Sequence, residues 1–222
     1  MKYTLTWSSI IEAMVVLLLL ITGIVWVYSL MFSSQRLAVS TWLRIEAIQI
    51  ARDGLEAMTN IRDTNWIRFG GDVKNCWNTL NYNSNCIWNQ AGATYIEHSG
   101  TQWIRISTTS DNTFFIWIQS HWGNDSYLDS NYRSLFAVSK DARWFYTQNI
   151  TPNYGVWSPI TPFFTREIRI DYLNNANVSQ GPNARTHPKM RITAIVQWQD
   201  PATSNPQRLE MSTILTNWKD RN

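Results

Sequence analysis

The apolar residues of this chain fall into two unlike patterns, and the change from one to the other divides the molecule. From Ile10 to Phe32 the run is nearly unbroken, interrupted only by Glu12, Thr22, Gly23 and Ser29. A helix needs about 20 apolar residues to cross a bilayer, so this run predicts a transmembrane helix. The chain stays helix-compatible beyond it. No Pro or strong turn pair occurs before Asn60, and Ile48, Ala51, Leu55 and Met58 are spaced three and four apart, which makes one stripe on a helix. Arg44, Arg52 and Glu56 fall largely off that stripe. One continuous helix from about Ser9 to about Thr59 is expected, roughly 75 Å long at 1.5 Å per residue. Its first half is apolar and its second amphipathic. Gly23 and Gly54 lie inside it, each weakening a helix by about 1 kcal/mol relative to Ala.

After Asn60 the texture changes to short segments broken by Gly, Asn, Asp and Pro. Gln102–Ser107, Thr113–Gln119 and Arg143–Thr147 read as strands from their aromatic and β-branched content. From Phe164 to Tyr172 apolar side chains fall on even positions for most of the length. Met190, Ile192, Ala194, Val196 and Trp198 repeat that period of two, and Leu209, Met211, Thr213 and Leu215 form a weaker third case. Three alternating strands near the C-terminus predict an antiparallel sheet with one buried face, and the Ile48/Ala51/Leu55/Met58 stripe is its natural cover. The expected class is α+β: a long N-terminal helix, transmembrane in its first half, packed on a C-terminal antiparallel β-sheet head.

Charge changes this picture little. Lys and Arg number 19 against 16 Asp and Glu, a formal +3 over 222 residues, too small and too evenly scattered to imply a nucleic-acid or acidic partner. The two cysteines, Cys76 and Cys86, lie beyond the membrane run in an Asn-rich loop. In an oxidising exterior they should pair rather than remain two free buried thiols, and a loop of this size gains roughly 3 kcal/mol from the restricted unfolded state. With no His nearby they lack the four ligands of a zinc site. No catalytic constellation, metal site or cofactor motif stands out: His98, His121 and His187 are scattered, and no Gly-x-Ser-x-Gly, His-Glu-x-x-His or phosphate-binding loop occurs. Asn124, Asp125, Asp129 and Asn131 do not match a known Ca²⁺ loop and read as a solvated polar turn. The sequons at Asn124, Asn149 and Asn177 are expected by chance in so Asn-rich a chain.

Glu12 is the most informative residue. A carboxylate costs about 2.5–3.5 kcal/mol at the centre of a transmembrane helix and less near its end. The stretch Ser8-Ser9-Ile10-Ile11-Glu12, followed at once by Ala13-Met14-Val15-Val16-Leu17, resembles the N-terminal signature of type IV prepilins and pseudopilins. That signature is a short leader with a Lys, a cleavage point, and a glutamate as fifth residue of the mature chain. The resemblance implies a leader over residues 1–7, a long helix over 8–60 and an extracellular β-rich head over 61–222, with Ser8 as the new, methylated N-terminus. It also implies that Glu12 neutralises the free amine of a neighbouring subunit, in keeping with the rule that a buried carboxylate needs a partner. Thr165-Arg166-Glu167-Ile168 and Leu215-Thr216-Asn217-Trp218-Lys219 resemble C-terminal parts of pilin-like subunits, with much less specificity.

Trp7 departs from the family, which has glycine before the cut. The chain holds 13 Trp and 9 Gly, where average usage would supply about 15 Gly. The codon UGA is read as glycine in some bacterial lineages and as tryptophan in others. Trp7, and other tryptophans with it, are accordingly expected to be glycines translated under the wrong table; the alternative is a genuine Trp7 in an unprocessed or unusual relative, and UGG at codon 7 would decide for it. The function the resemblance implies is a structural, non-enzymatic subunit of a pilus-like filament or secretion pseudopilus. Its expected partners are copies of itself, a prepilin peptidase, the assembly machinery and, before assembly, the inner membrane. Its expected location is a single-pass membrane protein first and a surface filament afterwards. The rival is a signal-anchored monomeric surface protein with a binding or sensing head.

Overall fold

The computed structural model describes residues 7–97, 102–108, 114–120, 128, 135–140, 146–148, 164–181, 188–200 and 205–217. The chain divides into two compact units, Met1–Arg44 and Ile45–Asn222. Helix α1, Trp7–Arg68, supplies the described part of the first and the opening of the second.

Within the first unit every side chain from 10 to 39 is exposed, apolar ones included. A helix apolar on all sides is made for an apolar surrounding, and this one is long and apolar enough to cross a membrane. Its polar interruption is quenched locally, because the Thr22 hydroxyl donates to the carbonyls of Leu18 and Leu19, both at 2.9 Å.

From Ile45 the helix becomes one-sided. Ala47, Ile50, Ala51, Ala57, Met58 and Ile61 are completely or almost completely buried. Ala51 and Met58 belong to the expected stripe, whereas Ile48 and Leu55 are only half-buried. The buried line is rotated toward smaller residues, Ala47, Gly54 and Ala57, because these let the sheet come close. At Gly54 a Cβ would lie 3.0 Å from Arg166 Cδ and 3.1 Å from Ile168 Cδ1. The glycine is thus a point of close approach. The helix also continues past the expected end near Asn60 to Arg68. Burial of Ile61 and Trp66 carries it on, and the Asn65 side-chain amide donates to the carbonyls of Trp77 at 3.3 Å and Thr79 at 3.0 Å. Arg68 closes it with a positive charge at the negative end of the helix dipole, just ahead of Gly70 and Gly71.

The sheet contains β1 (Gln102–Thr108), β2 (Phe114–Ser120), β5 (Phe164–Leu173), β6 (Ser179–Gly181), β7 (Lys189–Gln199) and β8 (Pro206–Thr216). Two-residue strands β3 (Ser139–Lys140) and β4 (Tyr146–Thr147) pair separately. The main order is β2-β1-β5-β7-β8, with β6 beside β5, and all pairings are antiparallel. The expected strands near 102, 113, 164, 190 and 209 are all present. Of Arg143–Thr147 only the last two residues form described strand, the rest lying outside the described residues. Phe164 pairs with Trp198 and Ile170 with Ile192, so the even positions of β5 and β7 share the core face. On β8 exposed and half-buried residues alternate through most of the strand.

Strands β1 and β5 meet at only one pair, Ile104 with Ile168. The gap beside it is filled by a side chain. Gln148 Oε1 accepts from the Ile106 amide at 3.2 Å, while its Nε2 donates to the carbonyls of Phe136, at 3.1 Å, and Arg166.

The even register of β5 also places Arg166 on the core face, where it is fully buried. Its guanidinium pairs with Asp53 of α1 at 2.6 Å and donates to the Ile50 carbonyl at 3.2 Å. Removing one partner of a buried ion pair typically costs about 3–5 kcal/mol, whereas replacing both by apolar groups can cost little. Asp53 is partly exposed, at 23%, so Asp53→Ala should lose about 3 kcal/mol, near the low end of that range. A double Asp53→Leu, Arg166→Met variant should lose less. Denaturant unfolding of the full-length protein in detergent measures both.

Candidate functional site

Two regions carry the residues singled out by the sequence, and they belong to different compact units. In the first, Trp7 and Ser8 stand in the opening turn of α1 and Glu12 in the next. Glu12 is exposed, with apolar side chains before and after it. Exposed one turn beyond the helix start, the carboxylate has no acidic companion in the first turn. Gly23 leaves a notch, with nothing within 4 Å of where its Cβ would be.

In the second unit, Cys76 and Cys86 form a disulfide and both are fully buried. Cys76 ends a single helical turn, α2 (Val73–Cys76), and Cys86 lies within a 3₁₀ segment, Ser84–Asn89. They share a small core with Phe69 and Tyr95. Asp72 organises the turn around them. Its carboxylate accepts from the Asn75 amide at 3.4 Å, the Asn75 side chain at 3.0 Å and the Trp88 amide at 2.7 Å. Burial pushes its pKa up, but the bonds from the Asn75 side chain and the Trp88 and Asn75 amides outweigh that and hold it below the ordinary 3.8.

The loop is closed and docked by its own polar groups. Leu80 donates to the Thr94 carbonyl at 3.0 Å and Ile96 to that of Asn78 at 2.8 Å. The Tyr172 hydroxyl, at the end of β5, accepts from the Asn78 side chain at 2.8 Å and donates to the Ile96 carbonyl at 2.6 Å. Trp77 meets the Tyr172 ring edge-on, with centroids 6.4 Å apart. The disulfide loop is therefore fastened to the sheet as well as to itself.

A third polar cluster, unannounced by any motif, faces the helix. Tyr146 donates to Glu46 at 2.7 Å, and Lys140 pairs with the same carboxylate at 3.0 Å. Burial, then the hydrogen bond and charge of Glu46, raise the Tyr146 pKa well above its ordinary value, keeping the phenol a donor. These contacts strap the β3–β4 pair to α1. Asp53 and Gln148 escaped motif reading too, and Arg166 stood out only within Thr165-Arg166-Glu167-Ile168, with no role; the available signal was the charge at an even position of β5.

His98, His121, His187, Asn124, Asp125, Asp129, Asn131 and Asn149 lie outside the described residues. Among the described residues no three His, Cys, Asp or Glu side chains gather as metal ligands. No family model, curated protein or solved structure matches the chain.

The loop's contribution should be separable from the rest of the head. Cys76→Ser with Cys86→Ser should lower stability by roughly 3 kcal/mol, read as a lower denaturant midpoint. Asp72 supplies a pH signature with a definite sign. Its pKa is lowered on folding, so its contribution is complete above pH 3.8 and fades as pH falls through the lower native value. Asp72→Ala should lower stability at neutral pH and flatten the acid limb of the stability profile.

Proposed function

We propose that this chain is a structural subunit of a type IV pilus-like filament or a secretion pseudopilus. The observation that carries the reading is the placement of Glu12: one carboxylate near the start of a helix that is otherwise apolar on every side, preceded by the prepilin-like Ser8-Ser9-Ile10-Ile11. The layout of the rest agrees with it. The same helix turns one-sided from Ile45 and packs on an antiparallel sheet, beside a disulfide loop suited to an oxidising exterior. On this reading a prepilin peptidase removes residues 1–7, and the subunit waits in the inner membrane as a single-pass protein. The assembly machinery then draws the apolar helix into a helical fibre with heads outward. Glu12 pairs with the amine of a neighbouring Ser8, and Gly23 offers a notch where adjacent helices come close.

Glu12→Gln tests the charge, keeping size and helix propensity nearly unchanged. If the glutamate balances a buried amine, its loss should cost about 3–5 kcal/mol per subunit contact and abolish sheared surface filaments while membrane-bound, folded protein persists. Wild-type filament yield would remove the reading's main support. Intact-mass measurement of native protein should also show a chain starting at Ser8 with a modified amine. A chain beginning at Met1 would favour the anchored monomer.

A further inference from the structure

Four residues in the disulfide loop and one in the β5–β6 turn hold positive φ without being glycine: Asn81, Tyr82, Trp88, Asn89 and Asn177. Three are asparagines, whose short polar side chain tolerates the left-handed region. Tyr82 is bulky, but its contacts hold it there. Its hydroxyl donates to the Phe114 carbonyl at 3.1 Å and its ring lies 4.3 Å beneath the Arg68 guanidinium. Trp88 is different. Its backbone has φ 56° and ψ 23°, its side chain is 78% exposed, and its recorded bond is made by the main chain, to Asp72. Strain of this kind persists when the surroundings over-determine it. At residue 88 they fix the backbone and leave the indole out, which is the environment of a glycine.

Three tryptophans on or beside the sheet answer in the opposite sense. Trp77 is 2% exposed and packs against Tyr172; Trp198 is 5% exposed and stacks beside Phe164. Trp117 donates from its indole nitrogen to Ser107 at 2.9 Å and leans on Phe115. Removing such side chains would leave holes or unpaired groups. Trp26, Trp42 and Trp117 are also exposed, at 71%, 50% and 48%, but among the described tryptophans Trp88 alone joins exposure to a positive φ.

We infer that residue 88 is glycine in the native protein, encoded by UGA, whereas residues 77, 117 and 198 are true tryptophans encoded by UGG. Glycine at 88 would move one residue of the 13 Trp against 9 Gly in the chain. This inference stands on the loop's geometry and does not depend on the filament reading.

One peptide tests it with an internal control. Trypsin cuts after Lys74 and Arg105, releasing 75–105, which carries both residues 77 and 88. Tandem mass spectrometry of protein from its own cells should find tryptophan at 77 and glycine at 88. Tryptophan at 88, or glycine at 77, overturns the inference. A recombinant pair gives a second reading. In full-length protein with the disulfide formed, Trp88→Gly should raise the thermal midpoint and Trp77→Gly should lower it; a lowered midpoint for Trp88→Gly counts against the inference.

Discussion

A guanidinium sealed under a sheet governs how this head is put together. Arg166 has no exposed surface, and its nitrogens reach four partners on three sides. They are the Asp53 carboxylate at 2.6 Å, the Ile50 carbonyl at 3.2 Å, Gln148 Oε1 at 3.3 Å and the Ile106 carbonyl at 3.5 Å. A charge taken out of water is tolerable only when paired and hydrogen-bonded, so helix, β1 and the residue following β4 must arrive at fixed positions around one side chain. The small residues on α1 follow from the same constraint. Gly54 lies against the arginine stem, and a larger side chain there would force helix and strand apart. Such a centre commonly adds no more net stability than an apolar core of equal volume, and its hydrogen bonds are met in the register of helix on sheet seen here.

Much of this architecture could be read from periodicity. The helix, its change from all-round apolar to one-sided, and the alternating strands were legible because burial repeats at 3.6 or 2 residues. What escaped shares a cause: it depends on partners distant in the chain. Arg166 breaks the apolar alternation of β5, and nothing nearby reveals that residue 53 answers it. Ile48 and Leu55 looked like core because size marks a stripe in sequence, whereas Ala47, Gly54 and Ala57 are the residues that allow the closest approach. The helix end was misplaced at Asn60 because Asn65, a poor helix former by itself, is held by carbonyls beyond the helix. At the other extreme the two cysteines are ten positions apart, and a local link of that kind is visible without a fold. Glu12 was legible for a different reason: a charge in an apolar run is conspicuous whatever surrounds it.

The two units of the chain obey different solvent rules, and their polar groups show it. In the first unit the Thr22 hydroxyl is satisfied by its own helix, as a side chain must be where water is scarce. In the second, polar side chains reach across elements: Asn65 to the loop, Gln148 between strands, Tyr172 to both ends of the loop. Side-chain bonds thus stand where the backbone ladder fails, most plainly where β1 and β5 separate after a single pair.

The distance between Asp53 and Arg166 along the chain, 113 residues, has a consequence in time. A ribosome adding about 5–20 residues per second makes the helical half of the pair about 6–23 seconds before the strand that covers it. Throughout that interval the buried line of α1 has no sheet and Asp53 no countercharge, and from residue 86 onward both cysteines of the loop are present. The loop can close early and by itself; the helix cannot find its cover until most of the polypeptide exists. Nascent chains of this protein therefore pass through a stage with an open core, in which a chaperone or a membrane surface has most to hold.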